Sequence, residues 1–250
     1  MRPLILISND DGYTAKGINF LIEALRPHAD IFVMAPDGPR SGGSCAITSA
    51  SPLRYRKIRE EEGLSIYACT GTPADCIKVA LNECLTRKPD LVLGGINHGD
   101  NSAVNAHYSG TMGVCYEGAM AGFPSIAFSL DNHSSEADFT PLRPYLVDIT
   151  LKVLKEGLPA FSCLNVNFPN TSEFKGVKVC RMGKSRWVKE THKCFHPTTN
   201  QPYLWLVGYR ENLEPEATDT DIWALDNGYV AVTPVTLDVT DYKLLGSFSF

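Results

Sequence analysis

Asp10 and Asp11 are adjacent carboxylates in the segment Asn9-Asp10-Asp11-Gly12. Two like charges so close are costly unless a cation neutralises them or a proton is shared. A hard divalent ion such as Mg²⁺ or Mn²⁺ prefers oxygen ligands, which Asp carboxylates with an Asn carbonyl or a Ser hydroxyl supply. The same four residues also suit an ordinary Asx turn closed by glycine. Two more loops carry chemistry-bearing residues: Pro36-Asp37-Gly38-Pro39-Arg40-Ser41-Gly42-Gly43-Ser44 and Asn97-His98-Gly99-Asp100-Asn101. Ser41 sits among glycines, where backbone can approach a ligand closely or simply form a surface loop. Neither loop matches a G-x-S-x-G elbow or a Walker phosphate loop, which disfavours serine-nucleophile and NTPase chemistry. Tyr108-Ser109-Gly110-Thr111 opens a stretch rich in small residues. A helix beginning there presents free N–H groups and a positive dipole end to a phosphate, or serves as a plain N-cap. Thr72-Pro73-Ala74-Asp75 reads as another helix start, structural before it is functional. Among the histidines, His98 and His107 fall in this region, and their spacing matches no zinc motif.

These residues need a scaffold that brings them together. Residues 4–7 form a short continuous apolar run, the mark of a strand buried on both faces. Ile18, Leu21, Ile22 and Leu25 then form a helical stripe that ends near Pro27. Residues 31–35 read as a second strand, and residues 53–58 with 65–69 as a hairpin across a charged turn. Residues 74–85 read as a helix, and residues 91–93 begin a buried strand ending in Gly94 and Gly95. A polar loop over 97–109 leads into a helix over 110–121, a strand over 125–130 and a helix around 145–154. Repeated strand–loop–helix units predict an α/β fold, a Rossmann-like parallel sheet covered on both faces. In such sheets ligands bind at the carboxyl ends of the strands, so the three loops are expected to meet on one edge.

The pattern changes after about residue 160. Short strands over 163–166, 177–180, 203–207 and 229–233 alternate with Pro, Asn and Gly turns. Residues 1–160 are therefore expected to form the core, and 161–250 a β-rich extension packed on it. The tail carries Leu244, Leu245, Phe248 and Phe250, apolar side chains that must dock on their own chain or a neighbour.

Composition narrows the function. With 23 Lys and Arg against 28 Asp and Glu, the 250-residue chain has a net charge of −5, which argues against broad capture of a nucleic acid polymer. The basic stretch over 54–59 runs into Glu60, Glu61 and Glu62 and reads as a solvated face. No apolar run approaches the ~20 residues that span a bilayer, and the N-terminus lacks the form of a signal peptide. The 8 cysteines form no C-x-x-C pair. A reduced, cytoplasmic, membrane-free protein is the expectation.

Taken together, SNDDG, PDGPRSGGS, GTPADC, GGINHGDN, YSGT and ALDNGYVAVTP occur in an order that resembles the SurE family, and the likeness covers nearly the whole chain. The resemblance implies a metal-dependent nucleotidase acting on nucleoside 5′- and 3′-monophosphates. It implies one divalent cation per subunit, Mg²⁺ or Mn²⁺, held by Asp10, Asp11, Ser41 and Asn97. It also places Asn101, Ser109, Gly110 and Thr111 at the phosphate and gives catalysis to Asp11 with Asp10. A homodimer or homotetramer that exchanges C-terminal segments between subunits follows from the same likeness. The chain departs from the family pattern at Asn105 and His107, before YSGT, and at residues 112–116, which bears on substrate preference. Two rivals stand beside this reading. One is an aspartyl-phosphate phosphatase, which expects Asp-x-Asp where this chain has adjacent aspartates. The other is a non-catalytic nucleotide-binding or sensory module. The missing G-x-G-x-x-G disfavours a dinucleotide oxidoreductase.

Overall fold

A computed structural model describes residues 2–247. The chain opens with β1 (Leu4–Ser8), α1 (Lys16–Leu25), β2 (Asp30–Pro36), β3 (Tyr55–Glu61), β4 (Leu64–Cys69) and α2 (Pro73–Val79), which a π-helical turn, Ala80–Cys84, extends. Then come β5 (Leu91–His98), a 3₁₀ turn (Ala103–His107), α3 (Gly110–Met120), β6 (Ser125–Leu130), α4 (Arg143–Glu156) and β7 (Ser162–Phe168). The last part holds β8 (Val177–Val179), β9 (Ser185–Val188), β10 (Thr191–Phe195), β11 (Pro202–Leu206), β12 (Tyr209–Asn212), α5 (Asp221–Asp226), β13 (Val230–Thr236) and α6 (Tyr242–Leu245).

Nine strands form one sheet in the order β3-β4-β2-β1-β5-β6-β7-β13-β8. Strands β4, β2, β1, β5, β6 and β7 run parallel, and β3 and β13 pair antiparallel. The period-2 geometry of β1 shows why its residues are apolar without interruption. Ile5 and Ile7 pack with Leu21 and Leu25 of α1 and Leu146 of α4 on one face. Leu4 and Leu6 pack with Ile77 of α2 and Val114 of α3 on the other. The chain runs from β1 outward to β2 on one side and later to β5 and β6 on the other, so the β1/β5 boundary is the switch point where parallel sheets bind ligands.

Strand β5 runs three residues beyond the glycines expected to end it. Its pairing with β6 slips between Gly94 and Asn97 and resumes at Asn97↔Ser129. Gly95 has φ 120°. The register slip makes Asn97 a strand residue beyond a bulge, not the first residue of a loop.

Beyond residue 160, β7, β13 and β8 extend the core sheet. The remaining strands form an arm: β9 pairs with β12 at its foot and β10 with β11 toward its tip. Sequence periodicity does not reveal β9, β10 and β12, because they are four or five residues long and mostly wetted on both faces. Every residue of β11 is exposed. In the tail, Leu244 and Leu245 are exposed, while Phe248 and Phe250 lie outside the described residues. All eight cysteines are free thiols, and no described helix is long and apolar enough to cross a membrane.

The start of α2 is a capping box that also serves the site. Asp75 accepts from the Thr72 amide (2.9 Å) while Thr72 Oγ1 accepts from the Asp75 amide (3.1 Å). The same buried carboxylate accepts from the Thr48 amide at 3.1 Å, tethering the loop that carries Ser41. Burial raises the Asp75 carboxyl, but the hydrogen bonds from Thr48 and Thr72 outweigh it and hold the group below its ordinary range. Asp75→Ala is expected to cost about 1–3 kcal/mol at neutral pH. Because the folded-state value is depressed, this contribution is present above the unfolded pKa of about 3.9 and fades as pH falls through the folded one. Urea denaturation of both proteins at pH 7, 5 and 3.5 checks this: the gap should hold from 7 to 5 and narrow at 3.5.

Candidate active site

The turn after β1 is built by Asn9, not by the aspartates. The buried Asn9 amide donates to the Gly12 carbonyl (3.0 Å) and its Oδ1 accepts from the Gly12 amide (3.2 Å). Gly12 adopts φ 97°, a conformation that suits glycine, and an added Cβ there would lie 3.4 Å from the Gly38 backbone. Both Asp10 and Asp11 are thus free of turn duty. The Asp10 carboxylate is 4% exposed and accepts from the Thr111 hydroxyl at 2.6 Å and from the Gly110 amide at the head of α3. An added Cβ at Gly110 would lie 2.7 Å from Asp10 Cβ, so only glycine lets the helix end come this near. The Arg40 amide donates to the Asp10 carbonyl at 2.7 Å and fixes the loop bearing Ser41 beside it.

Burial dominates the electrostatics of the pair. It lifts the Asp10 carboxyl to about 6, with the neighbouring Asp11 charge adding to the rise and the Thr111 hydroxyl opposing it. Asp11 is also raised by burial, against the opposing charges of His98 and His133 and the His98 amide. One Asp11 oxygen, Oδ2, is buried with no hydrogen-bond partner. A buried, unpartnered carboxylate oxygen is expensive, and a bound cation would relieve it.

Asp10, Ser41, Asn97, Asn101 and Ser109 line one open cavity of about 530 Å³. Asp11, Gly110 and Thr111 stand behind them: Gly110 and Thr111 act on Asp10, and Asp11 faces the backbone and ring of His98. Asn97 Nδ2 donates to the Gly99 carbonyl at 2.8 Å, leaving its side-chain oxygen. Asn101 is held on three sides. Its amide donates to Asn167 Oδ1 (2.7 Å), its carbonyl accepts from Asn165 Nδ2 (2.7 Å), and its own Nδ2 donates to Ser129 Oγ (2.8 Å). Ser109 Oγ caps α3 by accepting from the Met112 amide. Among the described residues no three His, Cys, Asp or Glu side chains are grouped as a metal cage. A cation here would draw on two carboxylates with hydroxyl and amide oxygens, the donor set of a hard ion.

Of the histidines, His98 and His133 line the cavity, and His107 does not. His107 is exposed on the 3₁₀ turn and contributes only its carbonyl, which accepts from Ser44 Oγ. The sequence reading missed His133 because it lies in a loop after β6, 22 or more residues from the other site segments, with no motif around it. It also missed Asp100 and Arg210, an ion pair of 2.6 Å at the cavity wall with Ser102 Oγ bonded to both. Further back, the buried Asp221 carboxylate accepts from the amides of Ala103 and Gly183, both at 2.8 Å, and so pins the 3₁₀ turn to the C-terminal segment.

The sheet and its switch-point carboxylates define an α/β protein with two aspartates at the switch point, and known proteins narrow this further. The family described as Survival protein SurE matches residues 5–189. The 5′-nucleotidase SurE of Phocaeicola vulgatus is 57% identical over 244 residues, covering 98% of this chain and 95% of the relative. That of Bacteroides thetaiotaomicron is 55% identical, with 98% and 94% covered. The crystal structure of the SurE protein from Aquifex aeolicus superposes with a TM-score of 0.84 at 41% identity, over 98% of each chain. The chain belongs to the SurE family.

Proposed function

We propose that this chain is a divalent-metal-dependent 5′-nucleotidase, hydrolysing nucleoside 5′-monophosphates, and 3′-monophosphates by the same geometry, to nucleoside and phosphate. The observation that carries this reading is the buried Asp10–Asp11 pair with an orphaned Asp11 oxygen beside the head of α3. The relatives at 57% and 55% identity carry the name 5′-nucleotidase. Asp10, Asp11, Ser41 and Asn97 would hold one Mg²⁺ or Mn²⁺ per subunit. Such an ion polarises a phosphoryl oxygen and lowers the pKa of bound water.

The chain's own groups do the rest. The Ser109 hydroxyl and the Thr111 amide at the head of α3 would face the phosphoryl oxygens, where negative charge grows as the P–O ester bond breaks. Thr111, its hydroxyl proton committed to Asp10, serves through its backbone amide. Asn101, locked by Asn165 and Asn167, presents a fixed edge to the same phosphate. Asp11, the second carboxylate of the pair, would orient the attacking water and accept its proton. Among the described residues no lysine or arginine lines the cavity, and the nearby Arg210 is spent on Asp100. That charge balance suits one phosphoryl group rather than a polyphosphate chain. The eight free thiols support a cytoplasmic location. The exposed β11 and tail apolar side chains support a homodimer or homotetramer.

The test is phosphate release from a panel of nucleoside 5′- and 3′-monophosphates with Mn²⁺, Mg²⁺ or EDTA. Release should require metal, fall to background in EDTA, and favour mono- over triphosphates. Tight nucleotide binding with no release under any metal would replace the hydrolase with a binding module.

A further inference from the structure

The cavity lining holds two kinds of side chain. Asp10, Ser41, Asn97 and Ser109 are polar; Tyr108, Trp187, Leu206 and Val207 are aromatic or apolar, with Glu190 beside Val207, whose amide donates to the Glu190 carbonyl at 3.0 Å. The aromatic and apolar group has no part in the phosphoryl chemistry. Trp187 comes from the foot of the arm, opposite Arg210 on the paired strand. Its indole N–H donates to Asn105 Oδ1 at 3.0 Å. Asn105 Nδ2 in turn donates to the carbonyl and carboxylate of Asp100, at 3.3 and 3.4 Å. Arg210 grips that same Asp100 from the neighbouring strand at 2.6 Å. The Val104 amide donates to Ser185 Oγ at 3.3 Å, a third tie between arm and site loop. The indole is thus held through its N–H, and Trp187 lines the cavity that Tyr108, 54% exposed, also lines.

Resting on the nucleotidase reading above, we infer that Trp187, with Tyr108, is the seat for the nucleoside's base, and that Asn105 positions it. A cavity of about 530 Å³ accommodates a nucleoside monophosphate. Its polar and its aromatic lining residues match the two halves of that molecule. Every base has a π-face, so stacking on Trp187 separates nucleotides from plain phosphate without strong choice among bases. The asparagine at position 105 matters because its amide joins an indole N–H on one side to an acceptor-rich aspartate on the other. An acidic side chain there would face Asp100 with no donor.

The experiment uses the full chain loaded with Mn²⁺ and compares KM for adenosine 5′-monophosphate with the inhibition constant of inorganic phosphate, which lacks a base. In Trp187→Ala the ratio of KM to that constant should rise about 10-fold or more, while Trp187→Phe, which keeps a stacking face, should stay within about 3-fold. A purely structural role for Trp187 weakens both constants together, and an unchanged ratio overturns the inference. If the unaltered chain releases no phosphate from any nucleotide, the nucleotidase reading fails separately. The base seat is then judged by calorimetric titration of the Mn²⁺-loaded proteins with adenosine 5′-monophosphate. A 10-fold weaker affinity in Trp187→Ala upholds it, and equal or undetectable binding in both proteins overturns it.

Discussion

Asp10→Asn is expected to lower phosphomonoester turnover by about 10²–10³-fold, since Lewis-acid assistance is worth several kcal/mol and each 1.36 kcal/mol is tenfold in rate. The exchange keeps size and shape. The Thr111 hydroxyl can still donate to an amide oxygen at the same place, so the contact at 2.6 Å survives. What goes is one of two adjacent buried charges. Without metal the variant should therefore be at least as stable as the parent at neutral pH, because the burial and the Asp11 charge that raise the Asp10 carboxyl no longer act on an ionisable group. With metal the order reverses. A ligand at 100 times its dissociation constant stabilises a folded protein by about 2.7 kcal/mol, and the variant forgoes that gain. Thermal denaturation with and without Mn²⁺, read beside turnover, separates the possibilities. Loss of activity with an unchanged or higher metal-free melting temperature supports the cation site. Full activity in Asp10→Asn would sink it.

Gly17→Ala should destabilise the fold by about 3 kcal/mol or more, the upper end of overpacking costs. Helix propensity argues the other way, since alanine is favoured over an interior glycine by about 1 kcal/mol. The sterics win because a Cβ at Gly17 would sit 2.0 Å from the Ile96 carbonyl oxygen, a backbone atom that cannot swing aside. To relieve it, α1 must lift from β5 or the bulge that aims Asn97 must move. The variant should therefore lose metal affinity along with stability, although residue 17 lies outside the cavity. Urea denaturation and Mn²⁺ titration of the same preparation check both. A stabilised variant would show that α1 packs less closely than described.

The sheet was legible where burial is two-sided. Residues 4–7 and 31–35 could only be internal strands, and the stripe from Ile18 to Leu25 could only be a helix facing them. The site was legible because three loops with unusual residues each follow such a strand, and parallel order brings strand ends together. Asn97 was placed correctly in space but not in structure, since a register slip across Gly94 and Gly95 extends β5 in a way no hydrophobic period announces. The arm was the hardest part to read. Its strands bury little, so they carry no alternation, and their purpose appears only when Trp187 and Arg210 are seen gripping the loop before α3. His133 had no local signal, because its role comes from packing against Gly99 across the site.

The tie between Asp221 and the Ala103 amide spans 118 residues, which gives the site a place in time as well as in space. On the ribosome the loop that forms the cavity wall emerges long before the carboxylate that pins it. At about 5–20 residues per second the wall waits roughly 6–24 s for its anchor. A nascent chain in that interval has its aspartates and its glycine loop but no completed pocket. Competence therefore waits for Asp221, and a product truncated before it would carry the first five signature motifs yet lack the carboxylate that pins the cavity wall.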